Sequence, residues 1–123
     1  MLYLDTSALL PYYRPEASSS VVQDLLQAQT EPVLISDLTT VEFASALARW
    51  VRMGELTEPQ ANRVESTFHE DRNLGRFRIQ TLGTGHYERA YQWLTTRKTA
   101  LRTLDALHLA CAEGSDAMLV TLD

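Results

Sequence analysis

The sequence predicts an α/β fold: three layers, α/β/α, with a central parallel sheet of about four strands. Two observations carry this. Four short apolar segments, Leu2–Asp5, Val33–Ser36, Phe77–Leu82 and Met118–Leu122, read as strands. Between them run amphipathic stretches with helical period, and strands alternating with helices imply a parallel sheet covered on both faces. At 123 residues, 45% of them hydrophobic, the chain forms one domain, 1–123, with a real core.

The first strand ends in Asp5-Thr6-Ser7, and Pro11 and Pro15 bracket a loop after it. A helix is expected from about Ser18 to Gln29, with Val21, Val22, Leu25 and Leu26 on one face. Pro32 breaks the chain before the second strand. The next helix is expected to start near Thr39 and to stop at Gly54, with Val41, Ala44, Leu47, Ala48 and Val51 facing inward. Thr57-Glu58-Pro59-Gln60 opens another helix as a capping box with proline in the first turn. Helices at Thr84 to about Arg97 and Thr103 to about Glu113 complete the order, the second ended by Gly114.

Composition narrows the function. The net charge of −5 argues against coating nucleic acid by bulk attraction, so a nucleic acid would need a local basic patch or bound metal. No apolar run reaches the length of a membrane span, and no secretion signal opens the chain. The lone Cys111, expected as a small buried helix residue, fits a reducing, cytoplasmic setting.

Four acids stand out: Asp5, Glu42, Asp105 and Asp123. Asp5 and Asp123 follow strands; Glu42 and Asp105 are expected near helix starts. In a parallel sheet these places share the rim beyond the carboxyl ends of the strands, where ligands bind. Each acid also has a structural reading. Glu42 completes a capping box with Thr39. Asp105 favours the dipole of its helix. Asp5 suits a turn, and Asp123 an exposed terminus. Capping does not require all of them on one rim. Clustered carboxylates repel and raise one another's pKa, whereas a hard divalent cation such as Mg²⁺ or Mn²⁺ gives the cluster a purpose. Such an ion orients phosphate and lowers the pKa of an attacking water. His108, three residues after Asp105, is expected to pack or to bridge polar groups rather than to ligate. Arg97, Lys98 and Arg102, like Arg49 and Arg52, read either as cations at helix ends or as contacts to RNA phosphates.

These segments resemble a known family. Leu2-Tyr3-Leu4-Asp5-Thr6-Ser7-Ala8 resembles the opening motif of PIN-domain nucleases, and Thr40-Val41-Glu42 the middle one. Leu104-Asp105-Ala106-Leu107-His108-Leu109-Ala110 is very similar to the third motif of VapC-type toxins, and Leu119-Val120-Thr121-Leu122-Asp123 to the last. The resemblance implies a PIN fold and an Mg²⁺- or Mn²⁺-dependent endoribonuclease. In that reading Asp5, Glu42, Asp105 and Asp123 hold the metal and activate water, with Ser7 and Thr121 as supporting polar residues. It implies a toxin acting on structured cellular RNA such as tRNA or rRNA, a homodimer, and a cognate antitoxin that silences it. It also implies a further helix, and often a short strand, after the fourth acid, which the sequence ending at Asp123 does not contain. The alternatives are a metal-dependent phosphatase with Asp5 as nucleophile and a non-catalytic PIN-like interaction module. Ser7 stands where the phosphatase would want a second acid.

Overall fold

A computed structural model describes residues 1–14 and 19–122, and of Ser19 only the backbone. Among these residues the order is β1 (Leu2–Leu4), α1 (Thr6–Tyr13), α2 (Ser19–Gln27), β2 (Val33–Ser36), α3 (Asp37–Arg52), α4 (Glu58–Asn73), β3 (Phe77–Gln80), α5 (Thr84–Thr95), α6 (Thr103–Gly114) and β4 (Met118–Val120). The strands form one sheet in the order β3-β2-β1-β4, and every pairing is parallel. The expected α/β architecture is therefore present.

Period-two alternation sorts the side chains of the sheet. Leu2, Leu4, Val33, Ile35 and Phe77 face a core completed by Ala8 and Leu9 of α1, Phe43 and Leu47 of α3, and Phe68 of α4. The rings of Phe43 and Phe68 lie 4.2 Å apart at its centre. Tyr3 and Leu34 point the other way, against Cys111 and Ala112 of α6. Ala90 of α5 packs with Ala106 and Leu107 beside them. Helices α1, α3 and α4 thus supply one layer, and α5 and α6 the opposite one. Cys111 is fully buried, as expected, and burial pushes its thiol up to about 11.

Two boundaries differ from expectation. The stretch after Asp5 is not a loop. It is α1, capped by the Asp5 side chain and carrying Pro11 inside it. Proline costs most in a long helix interior, and α1 ends two residues later; Pro15 and Ser18 lie outside the described residues. Helix α3 starts at Asp37, with a capping box between Ser36 and Thr39. The Thr39–Glu42 box is therefore not formed, and Glu42 lies in the second turn rather than at the helix start. The Thr57–Gln60 box forms as read, with bonds of 2.9 and 3.2 Å.

The strand order positions the site. From β1 the chain steps through β2 to β3 on one side, and β4 returns to the other side of β1. The order reverses between β1 and β4, and a crevice opens beyond their carboxyl ends. Asp5 follows β1 there, with its N–H donating to Val120 O at 3.2 Å.

Candidate metal centre at the sheet edge

Asp5 is 6% exposed and caps α1. Its Oδ1 accepts from the Ala8 N–H at 3.1 Å and from the Ser7 hydroxyl at 2.6 Å. Having given its hydrogen to Asp5, Ser7 Oγ accepts from Leu122 N–H at 3.0 Å, and it meets Thr121 Oγ1 at 3.2 Å. Ser7 therefore ties the residues after β1 to those after β4.

Glu42 reaches the same edge from α3. Its Oε1 accepts from the Thr6 hydroxyl at 2.7 Å and from His108 Nε2 at 2.5 Å. A carboxylate has no hydrogen to give, so Nε2 carries the hydrogen of that bond. His108 Nδ1 lies 2.6 Å from the Tyr3 hydroxyl, which also contacts Ser36 Oγ at 2.8 Å. His108 is thus a polar bridge, as expected from its spacing. Burial pushes the Glu42 carboxyl up. The hydrogen bonds from His108 and Thr6 and the attraction of His108 outweigh this, and its pKa falls below the ordinary 4.5. The expected mutual raising of carboxyl pKa does not occur at Glu42, because its nearest polar neighbours are a hydroxyl and an imidazole. Burial raises the Tyr3 phenol, which stays protonated as a donor.

Asp105 lies in the first turn of α6, partly exposed, on the face it shares with His108. Leu104 beside it lines a cleft of about 560 Å³ together with Thr6, Glu42, Ser45, Arg49 and Trp50. Asp123 lies outside the described residues. Arg97, Lys98 and Arg102 are exposed, and their side chains make no hydrogen bond or ion pair among the described residues.

Among the described residues, no three His, Cys, Asp or Glu side chains gather closely enough to hold a metal ion. Asp5, Glu42 and Asp105 do not form a closed cage. The donor chemistry nevertheless fits Mg²⁺, which keeps several of its waters and takes one or two carboxylates. Asp5 Oδ2, Glu42 Oε2 and both oxygens of Asp105 take no hydrogen bond among the described residues.

Sequence reasoning missed Thr6, Tyr3 and Ser36. Thr6 sits inside the opening motif, which is the signal that pointed closest to it. Nothing local marks Tyr3 or Ser36, whose contacts span 105 and 33 residues. Asp37 was missed too. Its Oδ1 accepts from Leu82 N–H at 3.0 Å and fastens the segment after β3 to α3.

Comparison with solved structures returns the same fold repeatedly. VapC20 of Mycobacterium tuberculosis, a toxin that cleaves the sarcin–ricin loop, superposes with a TM-score of 0.77 at 16% identity, over 100% of this chain and 90% of that one. FitAcB from Neisseria gonorrhoeae gives 0.73 at 22% identity, over 100% and 88%. A toxin–antitoxin complex from Klebsiella pneumoniae gives 0.73 at 20%, over 100% and 87%. At these identities the likeness is one of fold. No curated protein matches the chain. The sequence pattern of the PIN domain matches residues 2–123, and the chain belongs to the PIN-domain family.

Proposed function

We propose that the chain is a divalent-metal-dependent endoribonuclease of the VapC type, a toxin that cuts cellular RNA and is neutralised by a cognate antitoxin. What carries the reading is the family match together with Asp5 and Glu42 brought to one sheet edge through Thr6, the neighbour of the first and hydrogen-bond donor to the second. Asp5 and Asp105 hold Mg²⁺ or Mn²⁺, Glu42 binds it or orients one of its waters, and Asp123 completes the set. When bound, the ion supplies charge for the phosphate and an acidified water.

The protein's own residues do the rest. Ser7 and the Ala8 N–H fix Asp5 Oδ1, which would leave Oδ2 to bind an ion. Thr6 and His108 fix Glu42 Oε1 in the same way. Thr121 supports Ser7 from the far side. Arg97, Lys98 and Arg102 contact RNA phosphates, which gives an acidic chain a local means of holding a polyanion. A toxin of similar fold that cleaves the sarcin–ricin loop and a toxin–antitoxin complex of similar fold support rRNA as a target and an antitoxin as a partner; tRNA as the other target, a homodimer and a cytoplasmic site of action belong to the same proposal.

The test is cleavage of cellular RNA by the purified chain, with fragment 5′ ends sequenced beside an Asp5→Asn control. Recurrent new ends that vanish with EDTA and return with Mg²⁺ or Mn²⁺ are expected. Cleavage indifferent to chelator, or retained by Asp5→Asn, refutes the reading. A phosphoryl group trapped on Asp5 establishes the phosphatase alternative instead.

A further inference from the structure

The hydrogen bonds behind Glu42 form a chain that enters from the opposite layer. Glu42 belongs to α3, whose Phe43 and Leu47 pack on one face of the sheet. His108 belongs to α6 on the other face and is 3% exposed. Its Nε2 reaches Glu42 Oε1 at the rim. Behind it the fully buried Tyr3 hydroxyl meets Nδ1 at 2.6 Å and Ser36 Oγ at 2.8 Å. Ser36 is the N-cap of the helix that carries Glu42. The circuit Glu42–His108–Tyr3–Ser36–α3 is closed, and each member fixes the next.

We propose that His108 and Tyr3 are positioning residues for Glu42: they hold Oε1 in a fixed bond so that Oε2 is the oxygen presented to a divalent cation. The inference rests on the nuclease reading above and concerns how this chain orients its acid. A free glutamate side chain has three rotatable bonds, and ordering it costs free energy that a pre-formed bond removes before the ion arrives. A carboxylate oxygen already paired with Nε2–H is a poor ligand, so the bond also selects which oxygen binds. A merely structural histidine would lower stability when removed without changing how the folded site takes an ion.

The probe is Mn²⁺ titrated into the full chain without RNA, followed by calorimetry, with RNA cleavage measured separately. His108→Leu removes both polar contacts, and Tyr3→Phe removes only the phenol oxygen. His108→Gln keeps an amide N–H able to reach Glu42. Val33→Ala, at the distant start of β2, serves as a comparison of lowered stability. His108→Leu is expected to weaken Mn²⁺ binding about 10–100-fold, as loss of an orienting partner does. Tyr3→Phe should weaken it less, and His108→Gln should recover most of the loss. The cleavage defect should fall on kcat with KM for RNA unchanged, while Val33→Ala binds Mn²⁺ as the wild type does.

If His108→Leu fails to fold, Tyr3→Phe still decides, since it deletes one atom. Wild-type Mn²⁺ affinity and kcat in the folded variants overturn the proposal alone. A wild-type chain that neither binds Mn²⁺ nor cuts RNA overturns the nuclease reading and this inference with it.

Discussion

Asp5 is both the N-cap of α1 and a proposed ligand, and two substitutions separate the roles. Asparagine keeps an oxygen able to accept from Ala8 N–H and Ser7 Oγ while removing the charge, and asparagine caps helices about as well as aspartate. The bonds lose their charge assistance, so Asp5→Asn is expected within about 1 kcal/mol of the wild type. Alanine removes the acceptor. Ala8 is fully buried, and its N–H then keeps only its 3.2 Å bond to the Asp5 carbonyl. Replacing an N-cap side chain by alanine costs about 0.5–2 kcal/mol, and here the Ser7 hydroxyl loses its acceptor as well, which puts the cost at the upper end. Asp5→Ala is therefore expected to lose about 2 kcal/mol, or roughly 6–8 °C in Tm for a domain of this size. Circular dichroism melts and urea midpoints in metal-free buffer read this difference, and both variants should be inactive on RNA. An Asp5→Ala protein as stable as the wild type refutes the capping argument. An Asp5→Asn protein that unfolds as readily as Asp5→Ala refutes the separation of charge from cap.

Three further outcomes are expected. The Glu42 carboxyl has a folded pKa below its unfolded value, so its contribution is fully present above about 4.5 and is lost as pH falls through the folded value; urea midpoints at pH 6 and pH 3.5, without metal, should fall less in Glu42→Gln than in the wild type. Neutralising Arg97, Lys98 and Arg102 one at a time should each lower the slope of log affinity for single-stranded RNA against log salt by about 0.7, and an unchanged slope removes that residue from the interface. Tyr13 donates to Asp71 Oδ2 at 2.6 Å, and Asp71 is 6% exposed with Arg76 3.3 Å from its other oxygen; Tyr13→Phe should cost about 1.5–3 kcal/mol in denaturant unfolding, as loss of a bond to a charged group does, with cleavage unaffected.

The strands and most helices were legible because their signals are local: apolar runs, the Thr57–Gln60 box, Gly54 after α3. Helix α1 was not, because Pro11 and Pro15 are strong breakers in a local reading. The stabilisation of α1 lies elsewhere, in the Asp5 cap and in Ala8 and Leu9 packed into the core. The start of α3 was misplaced because two overlapping boxes, Ser36–Thr39 and Thr39–Glu42, compete in the sequence. Strand β2 runs up to Ser36 and leaves no room for a later cap. At the candidate site, Asp5, Ser7 and Glu42 could be read from the motifs their segments resemble. The bonds that orient Glu42 come from α1, α6 and β1 at once, and no window of sequence contains them.

The central strand β1 has its two neighbours at very different distances along the chain. It pairs with β2 early, but its other side waits for β4, and Ser7 waits for Thr121 across 114 positions. A nascent chain emerging from the ribosome therefore holds Asp5 beside an open strand edge until β4 appears. The contacts around Asp5 are thus completed only once β4 has been made, and a chain interrupted before it lacks the tie from Ser7 to Thr121 and Leu122.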